Sequence, residues 1–328
     1  MPQETMRAVR LLRIEGPEAL AVERVPVPES ADDVLIDVHA AGVMFADLLV
    51  TRGKYQVKQE PPFTPGAEVA GIVRSAPGGS GFAPGDRVAA MPASGGWAEV
   101  AAAPPHMTFA IPEGMTFEQA AAMPVNYQTS YFGLIWRGQL QPGETVLVHG
   151  AAGGVGTAAV QIARAAGARV IAVARGEQKL AVARDSGAHD CIDADADWLA
   201  QVRQLTAGRG VDVVYDPVGG DRFTDSVRSM APGGRLLVVG FASGTIPTVA
   251  VNRLLLHNTA VVGVAWPEYA RVDAAMPRQV AAGLAKMWET GAINPLVTSR
   301  YPMERAADAL RELDERRAIG KIVLVVRE

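Results

Sequence analysis

The stretch TVLVHGAAGGVG, residues 145–156, decides the fold of this chain. It opens with an apolar run that predicts a buried β-strand, and it continues into a glycine turn that predicts the start of a helix. Unpaired backbone N–H groups and the positive end of a helix dipole meet at such a turn, where a pyrophosphate can bind. Gly153 would let the backbone approach the phosphates, and Gly156 would let the helix pack closely on the strand. Ala151 stands where the first glycine of G-x-G-x-x-G is usual, so the fingerprint is imperfect.

The residues on either side of this turn strengthen the interpretation. A helical apolar pattern follows it, and a second strand is predicted at 169–174. Within such a βαβ unit a glycine turn is evidence for dinucleotide binding, so this function is favoured over an ordinary strand–turn–helix. The residues expected at the phosphates are Ala152, Gly153, Gly154 and Val155.

The end of the second strand bears on which dinucleotide binds. NAD enzymes usually place Asp or Glu about 20 residues after the glycine turn, to accept a hydrogen bond from the ribose 2′-OH. This chain has Arg175 there and Lys179 one turn into the next helix, and two cations suit a 2′-phosphate. The alternative is a pair of solvated surface cations, with Glu177 pairing locally. The sequence therefore predicts NADPH as the cofactor.

Composition excludes several classes of function. The 328 residues are 49% hydrophobic and 20% charged with a net charge of −4, as expected for a globular protein of two domains. No basic run indicates nucleic-acid binding, and no apolar run is long enough to span a membrane. The start of the chain lacks the features of a signal peptide, and Cys191 is the only cysteine, so a cytoplasmic location is expected.

Three regions follow one another along the chain. Up to residue 123, short strands alternate with Pro/Gly turns, which predicts a β domain that is partly barrel-like. From 124 to 266, strands and helices alternate, and their apolar runs predict a parallel sheet that is buried on both faces. The predicted strands of this region are 145–149, 169–174, 189–192, 211–215, 235–239 and 260–265. The last region has predicted helices near 274–290 and 303–316, and a strand at 321–326 that is expected to return to the first domain.

Several short motifs of the chain together resemble those of a known family. The resemblance rests on motifs in a fixed order, namely GPEAL at 16–20, PGAEVAG at 65–71, PGDRV at 84–88, GWAEV at 96–100, VHGAAGGVG at 148–156, YDPVG at 215–219, GGR at 233–235 and GKIVL at 320–324. The chain is similar to zinc-free medium-chain dehydrogenases/reductases of the quinone oxidoreductase type, the family that includes zeta-crystallin.

The resemblance implies a fold and an assembly. The fold is α/β, with a discontinuous GroES-like β-barrel catalytic domain at 1–123 and 267–328 and a Rossmann domain with a doubly wound parallel sheet at 124–266. The cleft between the two domains would hold the active site. A homodimer is expected, because the strand at 261–265 resembles the edge strand that pairs across subunits in this family.

Residue chemistry argues against a catalytic zinc ion. Zinc-dependent relatives carry Cys where this chain has Met44 and His where it has Ala67. A catalytic zinc site needs about three protein ligands from Cys, His, Asp or Glu. Asp47 and Glu68 remain, but two carboxylates alone make a poor site. Asp47 is expected to cap a local turn, and Glu68 to accept hydrogen bonds from the backbone or from an arginine.

The remaining site residues are implied by the resemblance. Thr129 matches a threonine near the nicotinamide ribose, with a helix-capping threonine as the alternative. The segment 240–243, with Gly240, Phe241 and Ser243, matches the one beside the nicotinamide. Val264, Ala265 and Trp266 match the strand that binds the carboxamide, and Trp266 would also line the substrate pocket unless it is a core or interface residue. Lys179 matches the lysine that meets the 2′-phosphate.

Three further positions concern the substrate and the choice of cofactor. Tyr55 matches a tyrosine that is thought to supply or relay a proton in enoyl reductases, with a loop tyrosine covering the β domain as the alternative. Met44 and Leu49 stand where relatives usually have Asn and Tyr, which predicts a more apolar substrate pocket. Asp193 stands where relatives have Tyr or His. It would hold a ribose hydroxyl, lie in solvent, or oppose a 2′-phosphate.

Without a metal, the acceptor must already be electrophilic. A quinone or an α,β-unsaturated carbonyl takes hydride at a conjugated position and delocalises the charge, so the protein mainly positions the reactants and excludes water. The sequence therefore predicts NADPH-dependent reduction of a quinone or conjugated carbonyl. The alternatives are an enone, alkenal or enoyl-thioester reductase, and an NADPH-binding protein of structural or regulatory use. Ser226 and Ser229 lack a nucleophile-elbow setting, and none of the five histidines pairs with an obvious nucleophile.

Overall fold

The computed structural model describes residues 3–56 and 58–327, which form two compact units. The β unit contains the described residues up to Val125 together with Pro277–Ala281 and the residues from Pro295 onward. The parallel-sheet unit contains Asn126–Met276 and Ala282–Asn294. No helix within the described ranges is long and apolar enough to cross a membrane.

The β unit is built from a hairpin and a seven-stranded sheet. The hairpin pairs β1 (Thr5–Leu11) with β2 (Leu20–Pro26) in antiparallel fashion. The strands of the sheet are β3 (Val34–Val43), β4 (Val69–Ser75), β5 (Arg87–Ala90), β6 (Val100–Ala103), β7 (Thr108–Ala110), β14 (Val297–Pro302) and β15 (Lys321–Val325). Their order is β14-β15-β3-β4-β5-β7, with β6 also paired to β3. The helices of this unit are α1 (Phe45–Thr51), α2 (Phe117–Ala120) and α11 (Ala306–Asp314).

The core of the β unit follows from the alternation of side chains along its strands. In β3, Val34, Ile36 and Val38 are fully buried while the residues between them are only partly so. This period of two places one face of the strand in the core. The last strand, β15, pairs antiparallel with β3, so the chain returns to its first domain as predicted from the sequence.

The parallel-sheet unit has one six-stranded sheet of order β10-β9-β8-β11-β12-β13. The strands are β8 (Thr145–His149), β9 (Arg169–Ala174), β10 (Asp190–Asp193), β11 (Val211–Asp216), β12 (Met230–Val238) and β13 (Ala260–Gly263), and every pairing among them is parallel. The helices are α3 (Gln128–Tyr131), α4 (Gly154–Ala165), α5 (Glu177–Asp185), α6 (Trp198–Leu205), α7 (Phe223–Arg228), α8 (Val251–His257), α9 (Trp266–Ala270) and α10 (Met276–Glu289), of which α10 has residues in both units. This is the parallel sheet that the apolar runs predicted, in the doubly wound architecture that the resemblance implied.

The division into compact units differs in detail from the division drawn on the sequence. Residues 267–276 and 282–294 group with the parallel-sheet unit, whereas the sequence assigned them to the β domain. Two contacts explain the grouping of the second segment. Gln161 Nε2 donates to the Asn294 carbonyl at 3.0 Å, and the hydroxyl end of Tyr131 lies against Gly283.

Candidate functional site

The glycine turn after β8 adopts the conformation that its sequence requires. Gly150 has a φ of +60°, while Gly153 is the N-cap of α4 with an ordinary φ of −81°. A Cβ on Gly156 would lie 2.1 Å from the Gly150 carbonyl oxygen, so only glycine lets α4 pack this closely on the turn. Ala151 is fully buried and needs no positive φ, which explains why alanine replaces the usual glycine there.

The start of α4 offers the backbone groups that an anion needs. The first N–H groups of any helix lack a partner within the helix, and they carry its positive end. The N-cap residue of α4 is Gly153, which has no side chain to cap the helix. The predicted phosphate contacts Ala152, Gly153, Gly154 and Val155 lie together at this point, with Ala152 buried and the other three partly exposed.

A helical run at residues 123–137 lies against the start of α4. Its central turn is α3, and π-helical turns at Met123–Tyr127 and Phe132–Arg137 flank it. The Ser130 hydroxyl donates to the Val155 carbonyl at 3.0 Å, which ties the run to α4. Thr129 lies inside this run, so the helix-capping role considered from the sequence does not apply. Its side chain is partly exposed.

The cationic end of β9 is arranged as an ion pair. Arg175 directly follows the strand and contacts the Asp195 carboxylate at 2.9 Å, with both side chains more than half exposed. Asp193 accepts the backbone N–H of Asp195 at 2.9 Å, so its carboxylate orders the turn that carries Asp195. Lys179 lies in the first turn of α5 and is half-buried. The structure therefore places Arg175, Lys179 and Asp193 in neighbouring segments at the ends of β9 and β10.

The segment 240–243 lies at the carboxyl end of the sheet, where ligands of open α/β sheets bind. The Ser243 N–H donates to the Val218 carbonyl at 3.0 Å, which holds the segment over the loop after β11. Gly240 and Phe241 are partly exposed on it. A Cβ on Gly220 would lie 2.7 Å from Ser243 Oγ, so this contact also depends on glycine.

The residues after β13 have contrasting surroundings. Val264 continues the sheet, since its N–H donates to the Val238 carbonyl at 2.9 Å, and Ala265 is exposed. Trp266 begins α9 and is 1% exposed. Within the described ranges its indole nitrogen is buried without a hydrogen-bond partner. This burial inside the parallel-sheet unit is typical of a core tryptophan, so the pocket role of Trp266 stays a prediction.

The β unit carries the three residues predicted for the substrate pocket. Met44 is the N-cap of α1, Leu49 lies on that helix, and Tyr55 lies in the segment that follows it. All three are partly exposed. The structure thus brings them onto one short helix and its exit loop.

A buried charged cluster lies behind α1. Glu68 and Lys321 form an ion pair in which neither side chain is more than 3% exposed, and Glu68 also accepts the Val125 N–H at 3.2 Å. Asp47 accepts the Met44 N–H at 2.8 Å, which is the local capping role predicted for it. Burial raises the pKa of Asp47 to about 7, against the Lys321 charge, which lowers it. Burial likewise raises the pKa of Glu68, although Lys321 opposes the shift.

Two features of these polar groups were not found from the sequence. The cation beside Glu68 is Lys321 and not an arginine. The expectation that no histidine pairs with a nucleophile was wrong, because His149 Nε2 lies 2.9 Å from Ser226 Oγ. Both side chains are fully buried, and burial lowers the pKa of His149 to about 4. The pair therefore links β8 to α7 inside the core, where no substrate reaches it.

The described residues place few metal-binding side chains close together. Among residues 3–56 and 58–327, no three His, Cys, Asp or Glu side chains group closely enough to hold a metal ion. The two carboxylates nearest the expected position already have partners, which are the Lys321 ammonium group for Glu68 and a backbone N–H for Asp47.

Family models match both parts of the chain. One described as "Alcohol dehydrogenase GroES-like domain" matches residues 30–113, and one described as "Zinc-binding dehydrogenase" matches residues 154–281. Quinone oxidoreductase-like protein 2 of Bos taurus is 37% identical over 312 residues, which cover 94% of this chain and 89% of the bovine protein.

Solved structures agree over nearly the whole length. A probable oxidoreductase from Mycobacterium abscessus is 44% identical with a TM-score of 0.91, and the match covers 98% of this chain and 99% of the other. The quinone oxidoreductase of Thermus thermophilus, solved alone and in complex with NADPH, is 36% identical with a TM-score of 0.83, covering 98% of this chain and all of the other. These relatives bear out the GroES-like and Rossmann folds. This chain belongs to the quinone oxidoreductase family of the medium-chain dehydrogenases/reductases, and it is an oxidoreductase of that family.

Proposed function

We propose that this protein uses NADPH to reduce a quinone or another conjugated carbonyl compound, without zinc. The observation that carries the proposal is the uncapped start of α4 at a glycine turn, with Arg175 and Lys179 at the end of the next strand. The first feature suits a pyrophosphate, and the second suits a 2′-phosphate. The Thermus thermophilus relative, whose structure was solved with NADPH, supports this choice of cofactor.

The chain's own residues fit this cofactor. Gly153 places no side chain at the helix start, where a phosphate would bind, and Thr129 is partly exposed on the neighbouring helical run. Gly240, Phe241 and Ser243 at the carboxyl end of the sheet would line the nicotinamide half, as would Val264, Ala265 and Trp266. When bound, NADPH supplies the hydride equivalent for the reduction.

The donor set of the β unit does not fit a catalytic zinc ion. Met44 and Ala67 replace the soft and imidazole ligands of zinc-dependent relatives. The Lys321 ammonium group already neutralises the Glu68 carboxylate, so this carboxylate does not need the positive charge of a metal ion. We therefore derive the reaction without a metal. Dialysis against a chelator should leave the activity unchanged, and metal analysis should find far less than one zinc per chain.

The described residues offer no set of metal ligands, and this favours particular acceptors. A simple ketone needs help with its developing alkoxide charge, which zinc supplies in other enzymes. A quinone instead delocalises that charge over its ring. In the overall reaction the quinone, NADPH and one proton give the hydroquinone and NADP⁺. Met44 and Leu49 would make the substrate pocket apolar, and Tyr55 is the residue proposed to donate or relay the proton.

The alternative substrate, an enoyl thioester of CoA or of a carrier protein, would need basic side chains at the edge of the substrate site to bind its phosphate groups. Arg52 is the strongest candidate cation for such a rim, but it forms a two-pronged pair with Asp314 at 2.6 and 2.8 Å. Lys58 donates to the backbone carbonyl of Gly53. Of the three cations in this segment, Arg52, Lys54 and Lys58, these contacts engage Arg52 and Lys58, which favours the small conjugated acceptor.

The first experiment is oxidation of NADPH and NADH by the purified protein with a panel of acceptors. The panel contains 1,4-benzoquinone, 9,10-phenanthrenequinone, an alkenal and crotonyl-CoA. Turnover of a quinone with NADPH preferred is the expected result. Turnover of the alkenal or thioester alone would move the function to double-bond reduction. Tight NADPH binding with no turnover of any acceptor would indicate a binding protein instead of an enzyme.

We also propose a homodimer formed through the parallel-sheet unit. Within the described chain, β13 is an edge strand that pairs with β12 alone. The preceding helix α8 has no buried residue and exposes Val251, Leu255 and Leu256, each more than 70% exposed. An open edge beside an apolar helix is the surface that a second copy would cover by continuing the sheet. Light scattering should give twice the chain mass, and L255D/L256D should give the monomer.

A further inference from the structure

We propose that Asn126 binds the pyrophosphate of the dinucleotide, as a cofactor-positioning residue beside the start of α4. The proposal rests on the proposed function, because it assumes that a dinucleotide occupies this helix start. It adds a side chain to a phosphate site that the glycine turn would otherwise form from backbone alone.

The first observation is where the amide lies. A Cβ on Gly154 would approach Asn126 Nδ2 to 2.3 Å, so the amide covers the Cα of the first residue of α4. Any larger residue at 154 would displace it. Gly154 and Asn126 are therefore fitted to each other at the point where the unpaired N–H groups of the helix begin.

The second observation is that the amide has no partner within the protein. Asn126 is only 6% exposed, yet among the described residues its side chain makes no hydrogen bond. Both of its polar atoms nevertheless keep some contact with solvent, since neither is among the sealed, unpartnered atoms of the structure. A buried amide without a partner is unfavourable, so its position indicates a partner from outside the chain.

The third observation is that the amide cannot easily turn away. Its neighbour Tyr127 is buried and donates through its hydroxyl to Gln161 at 2.9 Å. Four residues further along the run, Ser130 is bonded to the Val155 carbonyl. These two anchors fix the helical run directly after Asn126. The amide is therefore preorganised to donate to an oxygen at the helix start, where the helix dipole favours a negative charge.

The test compares Asn126→Ala and Asn126→Asp with the wild-type protein. Dissociation constants for NADPH and NADH are measured by titration. A hydrogen bond to a charged phosphate predicts that N126A weakens both cofactors by about tenfold or more, and by the same factor, because both contain the pyrophosphate. N126D keeps the shape but replaces the donor with a carboxylate, so it should weaken both cofactors more than N126A does.

Arg175→Ala is the matched control, since it should weaken NADPH and leave NADH nearly unchanged. A purely structural role for Asn126 predicts a different pattern, in which N126D binds like wild type and N126A shows a lower melting temperature. The steady-state readout is a raised KM for the cofactor with kcat changed less than about twofold at saturation.

Two outcomes would overturn the proposal, and they can be distinguished. If wild-type protein binds both cofactors and N126D binds them equally well, the role of Asn126 is wrong while the proposed function stands. If wild-type protein binds neither cofactor, the proposed function fails and the role of Asn126 fails with it.

Discussion

The Lys321 ammonium group and the Glu68 carboxylate form an ion pair inside the β unit, between the last strand and the residue just before β4. Gly42 makes room for it, because a Cβ there would lie 2.4 Å from Glu68 Oε1. The pair lies beside Asp47, so a single cation faces two buried carboxyl groups. By the resemblance, zinc-dependent relatives carry His at the position of Ala67, which directly precedes Glu68 in the sequence.

Removing one member of this pair should be far more costly than removing both. Lys321→Met leaves the Glu68 carboxylate buried without a cation, and breaking a buried pair in this way costs about 3–5 kcal/mol. The double variant E68Q/K321M should recover most of that loss. Urea unfolding of the two single variants and the double variant measures the coupling.

The exposed pair of Arg13 and Glu15 provides the control, since both side chains are about 60% exposed. R13M should change the free energy of unfolding by less than about 1 kcal/mol. Equal destabilisation by K321M and by the double variant would show that the ion pair itself contributes little.

The importance of Lys321 could not be predicted from the sequence. It is 253 residues from Glu68, and its motif identifies a terminal strand without indicating which strand it pairs with. The contact between His149 and Ser226 was missed for the same reason, since 77 residues separate them. Polar contacts of this kind depend on the sheet order, which local patterns do not specify.

The parallel strands were easier to predict. The bounds of β8 and β9 agree with the prediction, because strands buried on both faces are continuous apolar runs between clear turns. The predicted start of β12 was five residues too late. The strand begins at Met230, which pairs with Val211 before an irregularity in the register, and Pro-Gly-Gly at 232–234 hid this extension. The position of Asn126 against Gly154 could not be predicted either, because it depends on how the run at 123–137 packs on α4.

Asp47 should make the stability of the protein depend on pH. Its pKa is about 7 in the folded state, against 3.8 as the ordinary value, so the folded chain holds an extra proton between these limits. Stability should therefore fall as pH rises through that window, by about 2 kcal/mol between pH 5 and pH 8. Asp47→Asn removes the ionisation and can still accept the Met44 N–H, so it should flatten this dependence.

The measurement is urea unfolding of both proteins at pH 5 and pH 8. Asp32→Asn is the control, because Asp32 is exposed. It should leave the pH dependence of the wild type intact. A D47N protein with the same fall in stability between pH 5 and pH 8 would contradict the assignment to Asp47.

Two glycines of the phosphate turn should respond differently to alanine. In G156A the new Cβ meets the Gly150 carbonyl oxygen at 2.1 Å, so backbone must shift and stability should fall by about 1–3 kcal/mol. In G153A the nearest atom is 3.5 Å away, so the protein should fold with a nearly unchanged melting temperature. Its methyl group would nevertheless stand at the N-cap of α4, where the phosphate is proposed to bind.

Melting curves and NADPH titrations separate the two effects. G153A should weaken NADPH binding by about tenfold or more through loss of close phosphate approach. If G153A binds NADPH as tightly as wild type, the phosphates do not lie against this turn. If G156A is as stable as wild type, the close approach of residue 156 to the Gly150 carbonyl oxygen is wrong.

The ion pair of Arg175 and Asp195 should set the preference between the two cofactors. Arg175→Ala removes a charged donor from the proposed 2′-phosphate site, so the preference for NADPH over NADH should fall by about tenfold. Asp195→Asn should have the opposite effect, because it frees Arg175 from a competing carboxylate. Exposed pairs of this kind contribute up to about 1 kcal/mol, so the preference should rise by no more than roughly fivefold.

The ratio of kcat/KM for NADPH to that for NADH is the measured quantity, at low and high salt. Arg184→Ala is the charge-matched control, since Arg184 is 57% exposed on α5 and pairs loosely with Glu177. It should leave the ratio unchanged, and high salt should reduce the effect of D195N because both side chains of the pair are exposed. A ratio that falls equally in R175A and R184A would mean that net charge, and not a specific phosphate contact, determines the preference.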